Sequence, residues 1–160
     1  MIKTLVILAL LAVAGLMLYV RLAPTDAAAW HVDPRAIPKP ATPNHWLIRP
    51  VGGDARPPNY RLDAPGLAEL IDAVALAQPR TERVAGSVAS GHMTYLTRTP
   101  LMGYPDFVSF RVYATETGSS FAVFSRSRFG RSDLGANRKR METWLAAIDA
   151  AVREKESEDG

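Results

Sequence analysis

The sequence predicts an α+β fold of two layers: a small antiparallel sheet of about four strands with two helices on one face, preceded by an N-terminal transmembrane helix. Three observations lead to this fold. An apolar run fills residues 4–20, strand-like alternation marks residues 81–128, and helical periodicity marks the segments on either side of that alternation. Without the apolar run and a proline-rich segment, the 160-residue chain supplies one compact domain, and it contains no internal repeat.

The apolar run Thr4–Val20 lies between Lys3 and Arg21 and is just long enough for a helix that spans a bilayer. A cleavable signal peptide is the alternative, because the alanines at 27–29 offer small residues for a cleavage site. The run is long for a signal peptide, however, and Arg21 separates it from those alanines. We therefore expect residues 1–22 to be an uncleaved anchor, with its membrane-facing positions at Leu5, Leu8, Ala12, Leu16 and Val20.

The orientation of the anchor has two opposing indications. A short basic head before an N-terminal apolar segment usually directs export of the downstream domain, which favours an inner (cytoplasmic) membrane protein with a single pass and a periplasmic domain. The basic residues near the run favour the reverse, because Lys3 precedes it whereas Arg21, Arg35 and Lys39 come after it. We expect the periplasmic arrangement, and the alternative stays open.

Residues 23–62 are rich in proline, with eight of the chain's 12 prolines between Ala23 and Pro58. This density disfavours regular helix and central strand, so we expect an extended linker or a strap across the domain. Trp30 is near enough to the anchor to lie at the level of the lipid headgroups, and a cover over part of the domain core is the alternative. Trp46 has two equal alternatives, an interfacial position or a cover over the domain core.

Two helices are predicted at the ends of the compact domain, residues 63–153. The first begins at Asp63, a candidate N-cap, with Pro65 in its first turn. The second covers about 135–153 and has one apolar stripe, formed by Met141, Trp144, Leu145, Ile148 and Val152. The acidic tail at 154–160 is expected to be disordered.

Four strands are predicted between these helices. Two short runs at 81–87 and 92–98 are separated by a Ser-Gly pair, which is typical of a turn. Residues 108–114 alternate apolar and polar side chains, as a half-buried strand does. A hairpin turn at 116–119 then leads into an antiparallel strand from 120.

Charge and composition exclude several classes of function. The formal net charge is +3, but Lys3 and Arg21 flank the anchor and leave the rest of the chain with 17 basic against 16 acidic groups. A nearly neutral domain does not suggest a nucleic-acid partner. The chain has no cysteine, which removes disulfides, thiolate metal sites and cysteine nucleophiles.

Complete catalytic and metal motifs are absent from the sequence. His31, His45 and His92 lack the close spacing of a metal site, so we expect no metal. There is no G-x-S-x-G nucleophile motif, phosphate-binding loop or dinucleotide fingerprint. We therefore expect no catalytic residues and no cofactor.

One basic stretch, SRSRFGRSDLGANRKR from Ser125 to Arg140, is a candidate binding site. Strand alternation puts Arg126 and Arg128 on the face opposite the serines, and Ser132 or Asp133 can cap the final helix. Arginines beside a helix N-terminus can receive a phosphate or a carboxylate. Alternatively, Asp133 only caps the helix and pairs with an arginine. The candidate residues for anion or ligand binding are Ser125, Arg126, Ser127, Arg128, Ser132, Asp133 and Asn137.

That stretch, together with TPNHW at 42–46, AQPRTERVAG at 77–86 and LMGYPDFVS at 101–109, resembles a bacterial and plastid family, domain of unknown function 1499. The resemblance spans about residues 42–150 and implies a membrane-anchored protein, since many relatives are anchored. It implies no established reaction, substrate or catalytic residue. Relatives often have a cysteine after the Pro-Asn pair, where this chain has His45.

These observations favour a membrane-anchored, non-enzymatic binding or accessory domain of the cell envelope. Its expected partners are the lipid bilayer and either an envelope membrane protein or an anionic small molecule or lipid. A structural assembly factor of a membrane complex is the first alternative. A metal-independent enzyme acting on an anionic substrate is the second, and a deep pocket holding Asp106 or Asp133 with a raised carboxyl pKa would favour it.

Overall fold

A computed structural model describes residues 1–158 of the chain, and it confirms an α+β domain that follows an N-terminal apolar helix. The elements in chain order are α1 (Ile2–Leu22), α2 (Ala27–Trp30), β1 (His45–Ile48), β2 (Asn59–Tyr60), α3 (Ala64–Leu76), β3 (Thr81–Ser87), β4 (His92–Arg98), β5 (Pro105–Thr115), β6 (Gly118–Ser127) and α4 (Ala136–Glu158).

The sheet has six strands in the described chain, where the sequence predicted about four. Its order is β1-β6-β5-β4-β3, all antiparallel, and β2 also pairs with β6. The two additional strands lie in the proline-rich segment. They are four and two residues long, and β6 is the strand with which both pair, so the prolines flank them without interrupting a central strand.

Helices α3 and α4 cover one face of the sheet, as predicted, and form the main core with it. Trp144 of α4 contacts the rings of Tyr95 and Phe110, with ring centroids 6.1 and 6.3 Å away. Trp46 packs at the edge of this core, which is the second of its two alternatives. The sequence did not predict the short helix α2, which begins because Asp26 accepts hydrogen bonds from two backbone N–H groups.

The ends of most elements follow from local sequence. Asp63 caps α3 by accepting from Gly66 N at 2.9 Å, as predicted. Strands β3 and β4 have the predicted bounds, 81–87 and 92–98. Helix α4 continues to Glu158, so residues 154–158 of the expected disordered tail are helical. No glycine or proline interrupts this stretch, and Lys155 in the last turn complements the helix dipole. The rest of that tail, 159–160, lies outside the described residues.

The second face of the sheet is covered by the first part of the proline-rich segment, residues 23–36, which forms a strap. Trp30 stacks on Phe107 with ring centroids 4.1 Å apart, in place of the headgroup position that the sequence suggested. His31 stacks on His92 at 3.7 Å. The strap therefore buries apolar and polar side chains that would otherwise face water.

Helix α1 is long and apolar enough to span a membrane, with a mean hydropathy of 2.5. Four of the five expected membrane-facing residues, Leu5, Leu8, Ala12 and Leu16, are exposed in the described chain. The fifth, Val20, is only 3% exposed, so the last turn of α1 lies against the domain. There Arg21 Nη2 donates to the carbonyl of Leu101 at 3.2 Å.

The domain has two ends, and the last turn of α1 contacts one of them. The proximal end, next to α1, consists of residues 21–26, 77–80, 98–104 and 128–135, which connect through backbone and side-chain hydrogen bonds. The distal end carries the turns at 88–91 and 115–118, where the strands reverse. Helix α4 begins at the proximal end and runs to the distal one.

Candidate functional site: a cleft at the proximal end

A cleft of about 420 Å³ opens at the proximal end, between the loop before β5 and the loop before α4. Its apolar lining comes from Tyr104, Phe129 and Leu134, and the two aromatic rings have centroids 6.2 Å apart. Polar groups reach it from Thr99, Asp106, Ser127, Ser132 and Asp133. The cleft thus combines an aromatic and aliphatic wall with a polar floor, the general character of a small-molecule site.

A buried polar network underlies the floor of the cleft. Arg140 Nη2 donates to Asp106 Oδ2 at 2.5 Å, and Arg140 Nη1 donates to Asn137 Oδ1 at 2.7 Å and to Ser125 Oγ at 3.2 Å. Ser125 Oγ also donates to Asn137 Oδ1 at 2.7 Å. Asn137 Nδ2 donates to Ser127 Oγ at 3.0 Å. The network therefore ties β5, β6 and α4 together beneath the cleft.

The first turn of α4 is capped by the protein itself. Asp133 accepts from the backbone N–H of Gly135 at 3.0 Å and of Asn137 at 2.8 Å, and also from Asn137 Nδ2 at 2.6 Å. Ser132 Oγ accepts from Leu134 N at 3.3 Å. Asp133 therefore caps the helix, as the second alternative predicted, but among the described residues it forms no ion pair with Arg126 or Arg128, which the same alternative expected. Its carboxylate occupies the position in which an anion would meet the free N–H groups.

The two candidate arginines lie on the other face of the sheet, beneath the strap. Arg126 donates to the carbonyls of Trp30 and Phe124 and to Ser109 Oγ. Arg128 Nη2 donates to the carbonyl of Pro24 at 2.9 Å. The structure thus brings together Ser125, Ser127, Ser132, Asp133 and Asn137, and separates them from Arg126 and Arg128, because alternate residues of β6 face opposite ways.

Burial dominates the electrostatics of both groups of residues. It raises the pKa of Asp106, while Arg140 and a hydrogen bond from Ser127 oppose that rise. Burial lowers the pKa of Arg126 to about 9, since its acceptors are carbonyl and hydroxyl oxygens. The cleft therefore presents carboxylates, whereas the buried cation is enclosed by the strap.

The pair Asp106–Arg140 was missed by sequence reasoning, although a signal for it exists. Asp106 continues the core-facing alternation of Val108 and Phe110, and a carboxylate in such a position needs a buried partner. Arg140 precedes Met141 but does not belong to the apolar stripe of α4, so helical periodicity does not indicate that its side chain is enclosed. Their separation of 34 residues hides the pairing from any local pattern.

His31 and His92 join the strap to the sheet, and His45 lies in the edge strand β1. His31 Nδ1 lies 2.8 Å from Thr94 Oγ1, and His92 Nε2 lies 3.1 Å from the carbonyl of Val32. His45 Nδ1 lies 2.7 Å from the carbonyl of Thr42. Within residues 1–158, no group of three His, Asp or Glu side chains is arranged to hold a metal ion.

Comparison with known families gives a clear assignment. The model of a family described as "Protein of unknown function (DUF1499)" matches residues 37–148. The chain belongs to the DUF1499 family. The matched region runs from before β1 into α4 and contains every residue that lines the cleft, whereas α1 and the strap residues up to 36 lie outside it. A search of curated proteins finds no match to this DUF1499 protein.

Proposed function

We propose that this protein is a membrane-anchored, non-enzymatic binding or accessory domain of the cell envelope, with the proximal cleft as its ligand site. The observation that carries the proposal is the position of the cleft. Its loop at 98–104 contacts Arg21 at the end of the apolar helix α1, so a ligand in the cleft lies beside the anchor. Membership of DUF1499 adds a domain boundary and no reaction.

The lining of the cleft supports an amphipathic ligand. Tyr104, Phe129 and Leu134 offer an apolar wall for a chain or a ring. Asp106 and Asp133 are hydrogen-bond acceptors, so hydroxyl or ammonium groups suit the floor better than the anion that the sequence suggested. An anionic ligand is the alternative to a hydroxyl or ammonium ligand. It needs contact with Arg126 or Arg128, which lie beneath the strap.

Native mass spectrometry of the full chain, released from detergent or nanodiscs, tests the proposal. We expect a bound small molecule on the wild-type protein. Ala136→Trp fills the cleft from the exposed first residue of α4 and is expected to remove that molecule. Ala89→Trp, the same change in an exposed distal turn, serves as the control and should retain it.

A wild-type chain without any bound mass, and without a shift in melting temperature in a panel of hydroxyl-, ammonium- and phosphate-bearing amphiphiles, would contradict the proposal. Native-state ligands raise melting temperature, so the panel reports binding even when the native ligand is lost on purification.

The proposed compartment is the inner membrane, crossed once, with the domain in the periplasm. Ser157→Cys places a single thiol on the exposed end of α4 in a chain without cysteine. An impermeant thiol reagent should modify it in cells with a permeabilised outer membrane and an intact inner membrane. Modification only after lysis would instead support a cytoplasmic domain.

An enzyme is a second candidate, because Asp106 has a raised pKa and lines the cleft beside Ser127. Arg140 lies 2.5 Å from the same carboxylate and stabilises its charged form, which makes Asp106 a weak base for Ser127. This pairing favours binding over catalysis. A structural assembly factor needs no ligand pocket, so the presence of the cleft favours it less.

A further inference from the structure

Two leucines at the proximal end are exposed to solvent. Leu134 is 97% exposed and Leu101 is 78% exposed, in the loops on either side of the cleft. Leu134 has a positive φ of 53°, a conformation that costs energy for a residue other than glycine. A hydrogen bond from its N–H to Ser132 Oγ holds this turn. Leu134 thus combines an exposed apolar side chain with a backbone conformation that is unfavourable for a residue other than glycine.

Basic residues share the proximal segments with these leucines. The four proximal segments contain five arginines, Arg21, Arg80, Arg98, Arg128 and Arg131, against the two acids Asp26 and Asp133. Asp133 is engaged in capping α4. The domain is nearly neutral as a whole, so this excess at one end leaves the other end relatively acidic, with Glu154, Glu156 and Glu158 at the far end of α4.

The proximal end is continuous with α1. Arg21 Nη2 donates a hydrogen bond to the carbonyl of Leu101, and Arg128 Nη2 donates one to the carbonyl of Pro24. If α1 crosses a bilayer with Leu22 near its surface, these two contacts hold the loops at 98–104 and 128–135 at that surface. Apolar side chains among arginines are the composition of interfacial membrane contacts.

We infer that the proximal end docks onto an anionic lipid bilayer, with Leu101 and Leu134 inserted among the headgroups and the arginines above them. The inference rests on the membrane-anchoring part of the proposed function and adds the occupant of this surface. Docking orients the mouth of the cleft towards the lipid, since Leu134 both lines the cleft and enters the membrane.

The chain contains no cysteine, so single labels report this docking without background. Leu134→Cys carries an environment-sensitive fluorophore in the full chain, reconstituted in nanodiscs that contain phosphatidylglycerol. We expect blue-shifted emission that lipids brominated near the headgroup quench. Val51→Cys, which is 82% exposed in the turn after β1, is the control and should retain the emission of a label in water.

The same label at position 134 tests whether docking depends on the arginines and on anionic lipid. Arg131→Gln should lower the docking equilibrium about fivefold, the effect of one basic residue near an anionic surface, and phosphatidylcholine discs should lower it further. Arg61→Gln, an exposed arginine at the distal end, should leave docking unchanged. Melting of each variant verifies that the domain is folded.

Water-like emission from Leu134→Cys in anionic discs, in a protein that remains anchored, overturns the inference and leaves the anchor intact. Equally blue-shifted emission in anionic and in phosphatidylcholine discs, together with insensitivity to Arg131→Gln, overturns the anionic-lipid assignment. Release of the full chain from the discs counts against the anchor itself, so the two failures are distinguishable.

Discussion

At the scale of single residues, Arg126 shows how a buried charge is stabilised without an ion pair. Among the described residues it donates to two carbonyls and a hydroxyl, and it packs over the rings of Trp30 and Phe124. Its guanidinium therefore fixes the strap onto the sheet through backbone oxygens. The arginine that the sequence suggested as an anion receptor instead serves an internal contact.

Arg126→Gln should lower the free energy of unfolding by roughly 1–3 kcal/mol, because it leaves buried acceptors unpaired, and removal of the desolvated charge only partly offsets the loss. Arg128→Gln is the matched control: Arg128 is half-exposed, and its change should stay within about 0.5 kcal/mol. Urea denaturation measures both. Equal effects from the two variants would show that the strap does not depend on Arg126.

Trp144 is the residue on which the packing of α4 depends most. Trp144→Ala should cost roughly 3–5 kcal/mol, because the side chain is buried between Tyr95 and Phe110 and its removal leaves a cavity. Trp46→Ala removes the same side chain from a partly exposed edge position and should cost less. Near wild-type melting of Trp144→Ala would mean that α4 does not dock on this face.

At the scale of elements, the strap contains a group whose protonation opposes folding. Burial lowers the pKa of His31 below its ordinary value of 6.5, and the nearby charges of His92, Arg111 and Arg126 lower it further. The unfolded chain then binds this proton more readily than the folded one. The contribution of neutral His31 to the free energy of unfolding is fully present well above about pH 6.5, and it is lost as the pH falls through the lower pKa of the folded state.

Stability to urea should therefore decline between about pH 7.5 and 5.5. His31→Phe keeps a ring against His92 but cannot gain a proton, so the decline should become shallower. Asp33, whose carboxylate lies 3.8 Å from Arg111, partly offsets the positive charges around this position. An identical pH profile in the variant would mean that His31 does not couple the strap to pH.

The elements that could be predicted are those that carry their own signal. β3 and β4 are bounded by turn residues, and α3 and α4 have apolar residues at helical spacing. β1 and β2 could not be found in this way, because six residues among prolines become strands only by pairing with β6. For the site, alternation correctly separated Ser125 from Arg126. Local sequence patterns do not show whether the N-terminus of α4 lies on the sheet face of Ser125 or on that of Arg126, because long-range packing decides it.

In the molecule as a whole, helix α1, the strap and the cleft are connected through one strand. Helix α1 leads into the strap, the strap encloses Arg126, and the strand that carries Arg126 also supplies Ser125 and Ser127 beneath the cleft. Strand β6 therefore contacts the strap with one face and underlies the cleft with the other. The DUF1499 match includes the cleft but not α1, so the cleft belongs to the part of the chain that the family model covers.

Fractionation of the full chain, followed by intact mass measurement, shows whether this domain is held at a membrane beside its cleft. We expect the protein to stay in the membrane pellet through carbonate washing and to retain α1, because a helix with a mean hydropathy of 2.5 is stable in a bilayer. Release into the soluble fraction, or an intact mass that begins at Trp30, would contradict it.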